Sequence, residues 1–149
     1  MPTIDFYVLP NADAQARLLF ACRLTEKAFN MGRQVHLHTD SEASARRVDD
    51  LLWTFRDRGF VPHGIAPDQA HDYPVTIAYG GNHGWTPPRC DVLINLDSQT
   101  PAFFDRFERV AEIVDNEQRE AGRARYRFYR ERGCELSHHS ISGDQVRGG

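Results

Sequence analysis

The sequence predicts a single α/β domain whose sheet is mainly parallel and doubly wound, with helices on both faces. Two observations carry this. Apolar runs that suit strands alternate with longer segments that suit helices, at a spacing that fits right-handed strand–helix–strand units. The chain also has the size and composition of one domain: 149 residues, 40% hydrophobic and 26% charged, enough to bury a substantial core. No internal repeat or linker marks a second domain. The folded unit is expected over 1–136, with 137–149 as a disordered tail.

Residues 3–9 (TIDFYVL) read as a buried strand, closed by Pro10-Asn11. Residues 12–31 follow as a helix with Leu18, Leu19, Cys22 and Phe29 as apolar positions, and Asn30 and Gly32 supply its stop signal. QVHLHT, 34–39, alternates as a second strand. Asp40 or Ser41 then caps a helix running to about Phe55, with Glu42 in the first turn, where the helix dipole favours a negative charge. Residues 56–73 are rich in turn formers and carry Phe60. A third strand is expected at 75–79 and a fourth at 91–96 (DVLINL). Residues 101–114 read as a helix, with Phe103, Phe104, Phe107, Val110 and Ala111 on its apolar side. A basic helix, 117–132, comes next; from Ser137 onward SHHSISGDQVRGG has no packing pattern.

A formal charge of −3 argues against a protein that coats nucleic acid non-specifically, so any basic surface is local. One lysine, Lys27, stands against seventeen arginines, a bias that base composition can produce; clustering therefore carries more meaning than the count. Cys22, Cys90 and Cys134 are odd in number, far apart and without a CxxC, which reads as reduced thiols in a cytoplasmic protein. No run approaches the roughly 18 apolar residues of a membrane span, and MPTIDFYVLP does not read as a signal peptide.

A doubly wound sheet invites a search for a nucleotide site. The first strand ends in Leu9-Pro10-Asn11-Ala12-Asp13, without GxGxxG, and nothing matches GxxxxGK[ST]. Gly80, Gly81 and Gly84 follow a strand, but Trp85-Thr86-Pro87-Pro88 cannot open a helix whose amides would cradle phosphate. HLHTD is the best metal-like pattern: His36 and His38 share one side of a strand, and Asp40 or His63 would be a third ligand. An ordinary polar strand face explains the same residues. His138 and His139 fall in the expected tail. No GxSxG and no Cys–His setting is present, and capping accounts for Asp40 and Asp97 after their strands. No catalytic residue, cofactor or metal is expected.

The most informative stretch is EQREAGRARYRFYRER, 117–132, with six arginines and three aromatics. On a helix Arg119, Arg123 and Arg127 form one ridge, with Arg130 and Tyr126 beside it. Arginine's fork of donors fits carboxylates and phosphates, and a neighbouring tyrosine offers a partner's ring a surface. Arg125 and Arg132 lie off the ridge and read as solvated charge. Trp53 and Phe60 flank the turn segment and suit either the core or a protein interface.

Taken together, these residues resemble one family, the chi subunit of bacterial DNA polymerase III, part of the clamp-loader assembly. DFYVL, the block Leu51-Leu52-Trp53 with Phe60-Val61-Pro62-His63, DVLINL and RARYRFYRERG carry the likeness in order, over roughly residues 4–136. The resemblance implies a fold similar to a mononucleotide-binding domain, without a nucleotide site and without enzymatic activity of its own. It implies two partners: the psi subunit of the clamp loader, and the acidic C-terminal tail of single-stranded DNA-binding protein, which ends in a phenylalanine carboxylate. By that analogy Arg123 clamps the carboxylate, while Tyr126 and Val114 wall the terminal ring. Extending it along the ridge, Arg119, Arg127 and Arg130 attract the tail's aspartates. Trp53 and Phe60 match positions that face psi. DNA is then met only indirectly, and no membrane is involved. The chain departs from the family in a shortened segment before the basic helix and in a longer, different tail. Two other readings remain: direct nucleic-acid binding by the basic helix, and a small metal- or nucleotide-dependent enzyme using His36, His38 and Asp40.

Overall fold

Short apolar runs at the centre of the molecule pair into one sheet because each is buried on both faces and needs neighbours for its backbone groups. The computed structural model describes residues 1–10, 13–54, 62–65, 74–80 and 90–142. These form β1 (Thr3–Val8), α1 (Ala14–Asn30), β2 (Val35–Thr39), α2 (Glu42–Thr54), β3 (His63–Ile65), β4 (Val75–Tyr79), β5 (Cys90–Asn95), β6 (Phe107–Val114), α3 (Arg119–Glu131) and β7 (Glu135–Ser140). The seven strands make one sheet in the order β3-β4-β2-β5-β6-β1-β7. Every neighbouring pair is parallel. The doubly wound α/β architecture expected from the alternation of segments is therefore present.

Local chemistry sets the helix ends. Asp13 caps α1, its carboxylate accepting from the Ala16 amide at 3.1 Å, and Gly32, at φ +79°, lets the chain leave through the left-handed region. Ser41, one of the two expected caps, accepts from the Ser44 amide at the start of α2. α1 and α2 cover one face of the sheet, placing Leu18, Ala21, Cys22, Val48 and Leu52 against Leu37, Ile77, Ile94 and Ile113. α3 covers the other face near β1 and β6, where Tyr129 and Phe104 meet Ile4, Phe6 and Val110. Cys22 lies in the first layer, and burial pushes its thiol up to about 12.

Three expectations are corrected. Residues 56–73, read as turn, contain the short strand β3. Residues 101–114 are not a helix: a single 3-10 turn, Phe104–Arg106, leads into β6. The spacing of Phe103, Phe104, Phe107 and Val110 fits a helical period, but β6 lies between β5 and β1 and gains a ladder on both sides. That tertiary pairing outweighs the local pattern. The expected tail also starts too early. Ser137 to Ser140 complete β7, an edge strand parallel to β1, and the Ile141 amide still donates to Val8. Residues 143–149 lie outside the described residues.

Candidate functional site

α3 meets the sheet on one side and solvent on the other, and the two sides carry different arginines. The helix starts after a short turn capped by Asp115, whose carboxylate accepts from the Glu117 amide at 3.0 Å. Gly122 lies over the end of β6. A Cβ there would stand 3.0 Å from Val114 Cγ1, so glycine lets the helix come down close on the strand. Gly133, at φ +77°, ends the helix and turns the chain into β7.

The buried side is built from Gly122, Arg125 and Tyr129. Arg125, read from the sequence as solvated charge, is only 4% exposed. Its Nε donates to Glu112 Oε1 at 2.9 Å and its Nη1 to the Ser98 carbonyl at 2.7 Å. Glu112, fully buried on β6, also accepts from the Tyr129 hydroxyl at 2.6 Å and from Asn95 Nδ2. Burial pushes the Glu112 carboxyl up and the Arg125 guanidinium draws it back. All the neighbours of its oxygens are donors, which suits a carboxylate. Burial, then the Glu112 charge, raises the Tyr129 phenol, so it remains a donor. A second buried arginine, Arg17 of α1, ties the carboxyl ends of β5 and β6 through the Leu96 and Ile113 carbonyls. The signals for this network were Glu112 within VAEIV and Asn95 within DVLINL, polar residues inside apolar runs.

On the solvent side Arg119, Arg123, Arg127 and Arg130 are all exposed. None of them has an ion-pair partner among the described residues. Tyr126, half-buried, borders them, with its ring on Phe6 at 5.3 Å. Val114 belongs to the same apolar cluster but is covered by the helix at Gly122. The structure thus brings the ridge and Tyr126 to one surface, with Val114 as the support beneath.

Elsewhere, Trp53 in the last turn of α2 is 51% exposed and packs on the His63 ring at 4.6 Å. His63 is held in turn by Asp49, at 3.1 Å. Phe60 lies outside the described residues, as do Gly81 and Gly84. His36 and His38 share one side of β2, but their surroundings differ from a ligand set. His36 is fully buried, with Phe107 stacked on its ring, and bonds Thr76. Burial, then the His38 charge, lowers its pKa to about 3. His38 pairs with Asp97 at 3.3 Å, whereas Asp40 is exposed. Burial works to raise the Asp97 carboxyl, but the bond and charge of His38 outweigh it, with the Ser98 and Gln99 amides, and hold it below the usual range. No group of three metal-ligating side chains occurs among the described residues.

Residues 1–137 match the family model of the DNA polymerase III chi subunit, HolC. The chain belongs to that family. The DNA polymerase III subunit chi of Pseudomonas aeruginosa is 45% identical, over 95% of this chain and 98% of the relative. The subunits chi of Haemophilus influenzae and Escherichia coli are 30% and 28% identical, each covering more than nine-tenths of both chains. Among solved structures, an RNA helicase, Prp28 of Chaetomium thermophilum bound to ADP, superposes with a TM-score of 0.55 at 10% identity. All of this chain is covered there but only 41% of the helicase chain, and at that identity the likeness shows the fold alone. The chi family match ends inside β7, so it takes in the whole of α3 and both of its faces.

Proposed function

We propose that this chi-family protein is a non-catalytic accessory subunit of the DNA polymerase III holoenzyme that tethers the clamp loader to single-stranded DNA-binding protein during replication. One observation carries the reading: four exposed arginines lie on a single face of α3 without ion-pair partners among the described residues, beside a half-buried tyrosine. A surface of that kind fits an acidic peptide ending in an aromatic residue. Arg123 bonds the terminal carboxylate and Tyr126, backed by Val114, takes the terminal ring. Arg119, Arg127 and Arg130 attract the preceding aspartates. Burial of a phenylalanine side chain is worth about 1.5–3 kcal/mol, and a charge-assisted hydrogen bond adds about 1.5–3 kcal/mol. After the cost of ordering a flexible tail, micromolar affinity is the expected scale. Such weak contacts suffice when several tails are presented along one DNA strand.

The exposed Trp53, at the end of α2, supplies an anchor for psi together with Phe60, which lies outside the described residues. DNA is engaged only through these partners, in the cytoplasm. The test is titration calorimetry with the acidic tail peptide, with and without its terminal phenylalanine. Binding that needs that residue, and is abolished by Arg123→Ala with the circular dichroism spectrum unchanged, is the expected result. Unaltered affinity in Arg123→Ala would overturn the assignment. Equal binding to a bare oligonucleotide at physiological salt would favour direct contact with DNA instead.

A further inference from the structure

The sheet face opposite α3 carries a recess with cations at its mouth. α1 packs on β2, β5 and β6, and its last turns leave a gap against β5, β6 and β1. That gap is a cavity of about 250 Å³ with apolar walls from Leu24, Ala28, Met31, Val92 and Ala111, and the ring of Tyr7. The charged side chains that line it are Lys27, Arg33, Arg109 and Asp5. Asp5 is buried and already matched, by Arg109 at 3.1 Å and by His139 at 3.3 Å. Tyr7 is fixed between His139, stacked at 4.9 Å, and Phe20 at 5.3 Å. The other two cations remain available. Lys27 has no ion-pair partner among the described residues, and Arg33 reaches only an exposed Glu108, at 3.9 Å. Met31, 63% exposed, stands at the rim between them. An adaptable apolar side chain beside two available charges is suited to a partner that brings both an apolar group and anions.

We propose that this recess is a docking site for an acidic protein segment carrying one large apolar side chain. The side chain enters between Leu24, Ala28 and Tyr7, and the flanking carboxylates meet Lys27 and Arg33. The size agrees, since an apolar cavity of about 150 Å³ already holds benzene. The charges favour a peptide over a nucleic-acid strand: two cations beside a matched carboxylate and Glu108 make no continuous phosphate track. This site shares no residue with α3 and stands or falls separately from the tether.

The full-length chain, labelled with nitrogen-15, is titrated with a nine-residue peptide of alternating aspartate and glycine ending in phenylalanine. Amide shifts at Tyr7, residues 24–31 and Arg109 are expected, saturating independently of any shifts on α3. Lys27→Glu, an exposed substitution, should weaken the first set at least tenfold and leave the second; Arg123→Ala should do the reverse. Shifts confined to α3 overturn this proposal and spare the tether. Shifts confined to the recess uphold it and count against the tether. Displacement of the peptide from the recess by an equimolar nine-nucleotide oligothymidine would overturn the choice of a peptide ligand.

Discussion

Arg123 and Arg125 stand two residues apart on α3 and live in opposite surroundings. Arg125 lies against the sheet, bonded to a fully buried carboxylate and a backbone carbonyl. Arg123 points to solvent with no ion-pair partner among the described residues. The helix is thus held by one arginine and offers others, and the difference lies in desolvation. A buried charge that loses its partner is costly, whereas an exposed one is nearly neutral to the fold and free to meet a ligand. The buried network also fixes the rotation of α3 about its axis, which keeps Tyr126 at the edge of the exposed ridge.

The contrast can be broken most forcefully at Arg125. Arg125→Ala strands Glu112 in the interior and should cost about 3–5 kcal/mol in urea unfolding. If the loss is instead below about 1 kcal/mol, the buried pair is not what holds the helix. Acid tests the same buried layer through His36. Its folded pKa of about 3 lies below the ordinary 6.5. Between those values the unfolded chain binds a proton that the folded chain does not. Stability from this group is therefore complete above about pH 6.5 and lost as the pH falls towards 3, at up to about 1.4 kcal/mol per pH unit. Unfolding midpoints of His36→Gln should be flatter than those of the parent chain across that window. Tyr129→Phe removes one bond to the Glu112 carboxylate and should cost about 1.5–3 kcal/mol, seen in the same unfolding experiment. Arg123→Ala sits at the other end: a stability change within about 0.5 kcal/mol, with tail binding lost. Salt then separates the two sides, since raising it should weaken tail binding while barely moving the unfolding midpoint.

How much of this was legible in the sequence follows the same division. The exposed ridge could be read because i, i+4 spacing alone decides which arginines share a face. Arg125 could not be read correctly. An amphipathic pattern assigns an arginine to solvent, and its partner Glu112 lay in a segment whose period suggested a helix. β6 was missed because a strand buried on both faces does not alternate: F-E-R-V-A-E-I-V is covered throughout from Val110 onward. β7 was missed for the opposite reason. ELSHHS is a largely exposed edge strand, and its place is set by β1, more than a hundred residues earlier, as the pairing of Thr3 with Glu135 records. The parallel sheet as a whole was legible, because the order β1, α1, β2, α2 could be read correctly and strand–helix–strand units imply parallel pairing.

The place of β1 in the sheet has a consequence for how the molecule is made. It is the earliest of the described strands, and both of its neighbours, β6 and β7, are the last two. Until they arrive the amides and carbonyls along its edges have no strand to pair with, and pairing at such separation is slow. Closure of the sheet therefore waits for β6 and β7. The arginine ridge comes into being at that same moment, because α3 is the connection between those two final strands. A chain stalled before β6 would present neither a finished sheet nor the exposed arginine ridge.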